Sequence, residues 1–171
     1  MQRLIYLFIL LYSFSSFALN KGDKVPSFSL KNQDGQTINS KDFENKWTVL
    51  FFYPKAETPG CTKQACAFRD NSKKIEELGA KIYGISVNTV KDQKKFAEKY
   101  KLNFQLLADE DAVVAKLFDV KRPIIDIAKR WTFIIDPDGK IADIGEDVDP
   151  VLDSERVISK LKELKGSTSS K

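Results

Sequence analysis

The chain has 171 residues, 42% of them apolar and 30% charged, which is enough for one globular domain with a real core and leaves no room for a second. Its 28 Lys and Arg against 24 Asp and Glu give a formal charge of +4, with cations scattered among acids, so the balance serves solubility and argues against a nucleic-acid surface. There is no histidine, which removes Ser-His-Asp and Cys-His nucleophile activation, His-ligated haem and nearly every zinc site two cysteines could help build.

Residues 1–18 read as a secretory signal peptide: Arg3 gives a positive start, 4–12 is an apolar run, and Ser16-Phe17-Ala18 offers small residues for cleavage. The run is shorter than the ~20 residues a membrane span takes. Cleavage after Ala18 is therefore expected, with an uncleaved anchor as the alternative, leaving a domain over 19–165 and a disordered tail over 166–171. An exported, periplasmic or secreted protein meets an oxidising compartment, where two thiols can rest as a disulfide.

A hairpin is expected next, with 28–30 and 37–39 flanking Asn32-Gln33-Asp34-Gly35, followed by a helical turn over 40–43. Residues 47–53, WTVLFFY, have the length and composition of a strand buried on both faces. Pro54 cannot continue a central strand, and Thr58-Pro59-Gly60 turns the chain into a helix that opens at Cys61 and runs to about Leu78, capped by Gly79. Strands at 81–87 and 104–108 alternate with helices at 92–100 and 112–118, which implies an α/β fold with parallel pairing in its core and chemistry at the carboxyl ends of the strands. Residues 121–129 fit no regular element, and Pro123 with the apolar Ile124-Ile125 suggests a loop with an apolar patch. A hairpin over 131–135 and 140–144, turning at Asp136-Pro137-Asp138-Gly139, and a closing helix over 151–164 complete the chain.

Cys61 and Cys66, the chain's two cysteines, carry the chemistry. Backbone N–H groups in a first helical turn lack intrahelical partners and sit at the positive end of the helix dipole, so they stabilise a thiolate. Lys55 and Lys63 are nearby cations by sequence alone. Positions five apart on an intact α-helix differ by about 140° in azimuth and about 9 Å between Cα atoms, beyond the roughly 7 Å a disulfide tolerates. The pair therefore reads as a switch that needs the helix start to unwind, not as a staple.

Pro54, Thr58 and Cys61 stand in the spacing P-x-x-x-T-x-x-C within YPKAETPGCTKQACAFRD, and this segment closely resembles the active site of peroxiredoxins of the AhpC/TSA family. The C-x4-C pair and the following FRD are similar to the Q-type, or bacterioferritin-comigratory, subgroup, although Ala56-Glu57 stand where that subgroup usually carries acidic residues. The resemblance implies a thioredoxin-like fold with a central mixed sheet flanked by helices and an N-terminal β-hairpin extension. It implies a peroxidase acting on hydrogen peroxide or organic hydroperoxides, with Cys61 becoming a sulfenic acid and Cys66 resolving it as a disulfide. A thioredoxin-like protein would restore the thiols, no cofactor or metal is called for, and the chain is expected to be monomeric. Arg130, in RWTF, matches the pattern R-x-[ST]-F of the arginine these enzymes place at the reactive sulfur, with Lys129 and Arg122 as competitors if the register is off. Thr58 would orient nucleophile and peroxide, and Pro54 would shield the pocket.

Each residue also has a plainer reading: Pro54 ends a strand, Thr58 caps a turn, Arg130 pairs with a surface acid, Cys66 is an inert buried thiol, and the two cysteines form a structural disulfide. An exported thioredoxin-like thiol–disulfide oxidoreductase is the rival enzyme, but such proteins use C-x-x-C. A copper-handling domain on the same fold would use C-x-x-x-C with a distant His.

Overall fold

A computed structural model describes residues 19–168; the expected signal peptide lies outside the described residues. Seven strands, β1 (Ser29–Asn32), β2 (Thr37–Asn39), β3 (Trp47–Phe52), β4 (Ala80–Ser86), β5 (Gln105–Ala108), β6 (Thr132–Ile135) and β7 (Ile141–Gly145), form one sheet in the order β2-β1-β5-β4-β3-β6-β7. The helices among the described residues are α1 (Pro59–Glu77), α2 (Val90–Tyr100), α3 (Val113–Leu117) and α4 (Asp153–Thr168), with a 3-10 turn over Ser40–Phe43.

The apolar run at 47–53 becomes the centre of the sheet. β3 pairs parallel with β4 and antiparallel with β6, while β4 pairs parallel with β5. Both faces of β3 are covered, which is why Thr48 is the one polar residue in it and is itself fully buried. Val49, Phe51 and Tyr53 point into the layer formed by α1, α2 and α4, and Leu50 and Phe52 into the layer holding Phe43, Phe118 and α3. Each fully buried side chain of this kind contributes about 1.5–3 kcal/mol. Phe51 stacks on Phe68 of α1 with ring centroids 4.6 Å apart. Gly84 makes room for this packing, because a Cβ there would lie 2.7 Å from the Phe51 ring and 2.8 Å from Leu106.

The expected mixed sheet and N-terminal hairpin are present, the hairpin joining the sheet through an antiparallel pairing of β1 with β5. Boundaries differ where side chains cap. α2 starts at Val90 because Thr89 accepts the Asp92 N–H at 3.2 Å. α4 starts at Asp153, two residues later than expected, because the Asp149 carboxylate takes the N–H groups of Val151 and Leu152 at 2.8 and 3.1 Å and holds them in a preceding turn. α4 then runs on to Thr168, into the segment expected to be a tail, while 169–171 lie outside the described residues. Residues 121–129 form a loop closed by a bridge between Lys121 and Ala128, with Ile124 95% exposed at its tip. Among the described residues no helix is long and apolar enough to cross a membrane.

Candidate active site

β3 delivers the chain to a loop over 54–58 at its carboxyl end, and α1 begins directly after it. The loop is anchored from beneath. Asn88 Oδ1 accepts the Ala56 N–H at 2.8 Å and the Ser86 hydroxyl at 3.0 Å. Gln93 Nε2 donates to Ser86 Oγ at 3.0 Å and to the Leu107 carbonyl at 2.9 Å, and Gln93 Oε1 accepts the buried Tyr53 hydroxyl. Burial pushes the Tyr53 phenol well above its ordinary pKa, so it stays protonated as the donor.

Thr58 occupies the N-cap position of α1, and no side chain caps the helix. Pro59 and Gly60 follow, so Cys61 is the third helical residue and the first intrahelical bond runs from Thr62 N–H to the Thr58 carbonyl at 2.9 Å. Pro59 has no N–H, and those of Gly60 and Cys61 precede that first bond, leaving the positive end of the dipole open around the sulfur. Thr58 Oγ1 donates to the Lys55 carbonyl at 2.9 Å. Its proton is thereby committed and its lone pairs can only accept. Pro54 ends β3 as anticipated from its lack of an N–H and is half-buried at the start of the loop.

Arg130 reaches across from the residues just before β6. Its Nη2 lies 3.5 Å from Cys61 Sγ and its Nη1 donates to Gln64 Oε1 at 2.8 Å. A side chain at position 60 would crowd this contact, since a Cβ on Gly60 would be 3.1 Å from Nη2. The competing cations lie elsewhere: Lys129 covers the Trp131 ring at 5.0 Å, Arg122 is exposed on the 121–129 loop, and Lys55 and Lys63 are exposed. Cys61 is 1% exposed and Cys66 is half-buried further along the unbroken helix; both thiols are free.

Three polar residues to which the sequence alone assigned no role complete the site. Gln64, one turn after Cys61, is fully buried and donates Nε2 to Asp153 Oδ2 at 2.8 Å. The Thr132 hydroxyl donates to the same oxygen at 2.6 Å. Thr132 was visible only as the [ST] of the arginine pattern, and a glutamine in line with the Phe68 and Ile75 stripe of the helix was the available clue to Gln64. Nothing local marked Asp153. Among the described residues no group of three or more His, Cys, Asp or Glu is placed to hold a metal.

The AhpC/TSA family profile matches residues 21–144. The chain belongs to the AhpC/TSA family. It is 41% identical over 151 residues to peroxiredoxin Bcp of Escherichia coli K12, covering 85% of this chain and 97% of that one. It is 44% identical over 124 residues to a peroxiredoxin Q of Populus jackii, covering 72% of this chain and 58% of the longer poplar protein. The crystal structure of peroxidoxin BcpB from Mycobacterium tuberculosis superposes with a TM-score of 0.79 at 38% identity, covering 85% of this chain and 97% of that one. These likenesses place it in the peroxiredoxin Q/Bcp group, give its mixed sheet the thioredoxin-like fold, and make it a thiol-dependent peroxidase.

Proposed function

We propose that Cys61 is the peroxidatic thiol and Cys66 its resolving partner, within one chain. The observation that carries this is the Arg130 guanidinium 3.5 Å from a sulfur held in the first turn of a helix that also bears the second cysteine. A positive side chain and open helical N–H groups together stabilise negative charge on Sγ. The thiolate attacks the terminal oxygen of hydrogen peroxide or an organic hydroperoxide. The S–O bond forms as the O–O bond breaks, and the departing oxygen takes a proton and leaves as water or alcohol. Arg130 stabilises charge on the breaking bond. Thr58 Oγ1, an acceptor only, fits the O–H of the bound peroxide, while Pro54 shields the loop side.

The sulfenic acid is then buried, on a helix face about 140° from Cys66. The first turns of α1 must open before the Cys66 sulfur attacks, forms the disulfide and releases the sulfenic oxygen as water. A thioredoxin-like dithiol supplies the two electrons that restore both thiols. We further propose an exported, monomeric enzyme, supported by the signal-like segment at 1–18 and by the rarity of apolar side chains on the described surface beyond 113–125 and 151–152. Cys61→Ser tests the first step: peroxide consumption by the prereduced protein is expected to fall to background, and turnover that survives the substitution would discard the assignment.

A further inference from the structure

Gln64 stands between two groups that make opposite demands on its amide. The Arg130 guanidinium only donates, so the atom 2.8 Å from Nη1 must be the carbonyl Oε1. The Asp153 carboxylate accepts, so the atom 2.8 Å from its Oδ2 must be Nε2. Thr132, two residues beyond Arg130, donates its hydroxyl to the same Oδ2 at 2.6 Å, and Arg156 Nε approaches Oδ1 at 3.3 Å. Gln64 and Thr132 are 0% exposed and Asp153 is 1% exposed, so water offers no substitute partner. A reversed Gln64 amide would set N–H against guanidinium and oxygen against carboxylate, two repulsive contacts where the local dielectric is low.

Arg130 needs this support. It is only half-buried, and a free arginine has about 2 kcal/mol of rotamer entropy with which to leave a poorly held position. We propose that Asp153, on the helix that closes the chain, is a positioning residue for peroxide reduction. It fixes the Gln64 amide, and the fixed amide aims the Arg130 fork at Cys61. Asp153 touches neither sulfur nor peroxide and acts only through Gln64. Arg156 bridges it to Asp143, giving the carboxylate a counter-charge. This inference rests on the roles proposed for Cys61 and Arg130.

The experiment is a double-mutant cycle on the full chain, prereduced, reading the second-order rate constant for Cys61 oxidation by hydrogen peroxide in stopped flow. Asp153→Ala removes the acceptor and is expected to slow the reaction about tenfold. Asp153→Asn can keep an oxygen toward Gln64 and Thr132 and gives up only the longer Arg156 contact, where its NH2 faces another donor, and is expected to recover most of the rate. In an Arg130→Met background Asp153→Ala is expected to have no further effect, since nothing is left to aim. An equal fractional loss in both backgrounds, or an Asn variant as slow as Ala, would overturn the proposal. Should Asp153→Ala lack a cooperative melt, Gln64→Met takes its place in the same cycle, with the same loss expected and additivity again overturning it. Failure here leaves the wild-type reaction and its dependence on Cys61 intact, whereas failure of the Cys61 assignment shows as a peroxide reaction that persists in Cys61→Ser.

Discussion

Replacing Arg130 by methionine removes the cation whose Nη2 lies 3.5 Å from Cys61 Sγ and leaves a side chain of similar reach. Two unit charges 3.5 Å apart attract by about 5 kcal/mol at an effective dielectric near 20. Only part of that accelerates the reaction. Arg130 is half-buried and so partly screened, and the ground-state thiolate already enjoys some of the attraction, so what counts is the excess felt as charge moves onto the departing oxygen. Loss of one preorganised donor in such a position lowers rates by about 10²–10³. Arg130→Met is therefore expected to slow single-turnover peroxide reduction by about that factor. Arg130→Lys keeps the charge but cannot serve Sγ and Gln64 Oε1 together, and should fall between the two. The assay is stopped-flow fluorescence on prereduced protein, with Trp131 beside Arg130 as a reporter and thermal melts as the control for folding. A methionine variant within about threefold of wild type would refute the electrostatic role.

Gly60→Ala should place a methyl group 3.1 Å from Arg130 Nη2 and push the guanidinium aside by a few tenths of an ångström; roughly a tenfold slower peroxide step with an unchanged melt is expected, and an unchanged rate would show that the fork has slack. Tyr53→Phe leaves Gln93 Oε1 buried without its donor, so denaturant unfolding should report a loss of about 1–3 kcal/mol, and a smaller loss would mean the amide finds another partner. Gly84→Ala drives a Cβ to within 2.8 Å of both Phe51 and Leu106 in the packed layer beneath α1; urea titration should show about 1–3 kcal/mol of overpacking, and a neutral result would show a softer core than the geometry implies.

How much of this was legible beforehand follows from how local each signal is. The buried strand declared itself because a residue run that faces core on both sides needs no alternation, and the helix opening at Cys61 because Thr58-Pro59-Gly60 is a start signal in adjacent residues. Arg130 was legible through its pattern, although its partner lies 69 residues away. Gln64 and Asp153 were not, because their contact spans 89 residues and depends on α4 lying along α1, a packing fact that neither segment encodes alone. Boundaries slipped for a similar reason. Asp149 delays α4 by capping a turn whose geometry is set by the loop before it. The 121–129 loop gave no pattern since backbone hydrogen bonds, among them Arg122 N–H to the Ile127 carbonyl and Lys129 N–H to the Val120 carbonyl, and the Lys121 to Asp126 ion pair hold it, not a periodic face.

Where the oxidised sulfur goes decides whether Cys61 and Cys66 act as a pair, and a product map reads it directly. Prereduced protein is mixed with a single equivalent of hydrogen peroxide, quenched with an alkylating reagent within the burst, and its peptides are mapped by mass spectrometry beside a Cys66→Ser sample. An intrachain bond between Cys61 and Cys66 is expected in the wild type, and a single added oxygen on Cys61 in the variant at an undiminished initial rate. Oxygen found first on Cys66, or a wild-type product with both thiols still alkylated, would contradict it.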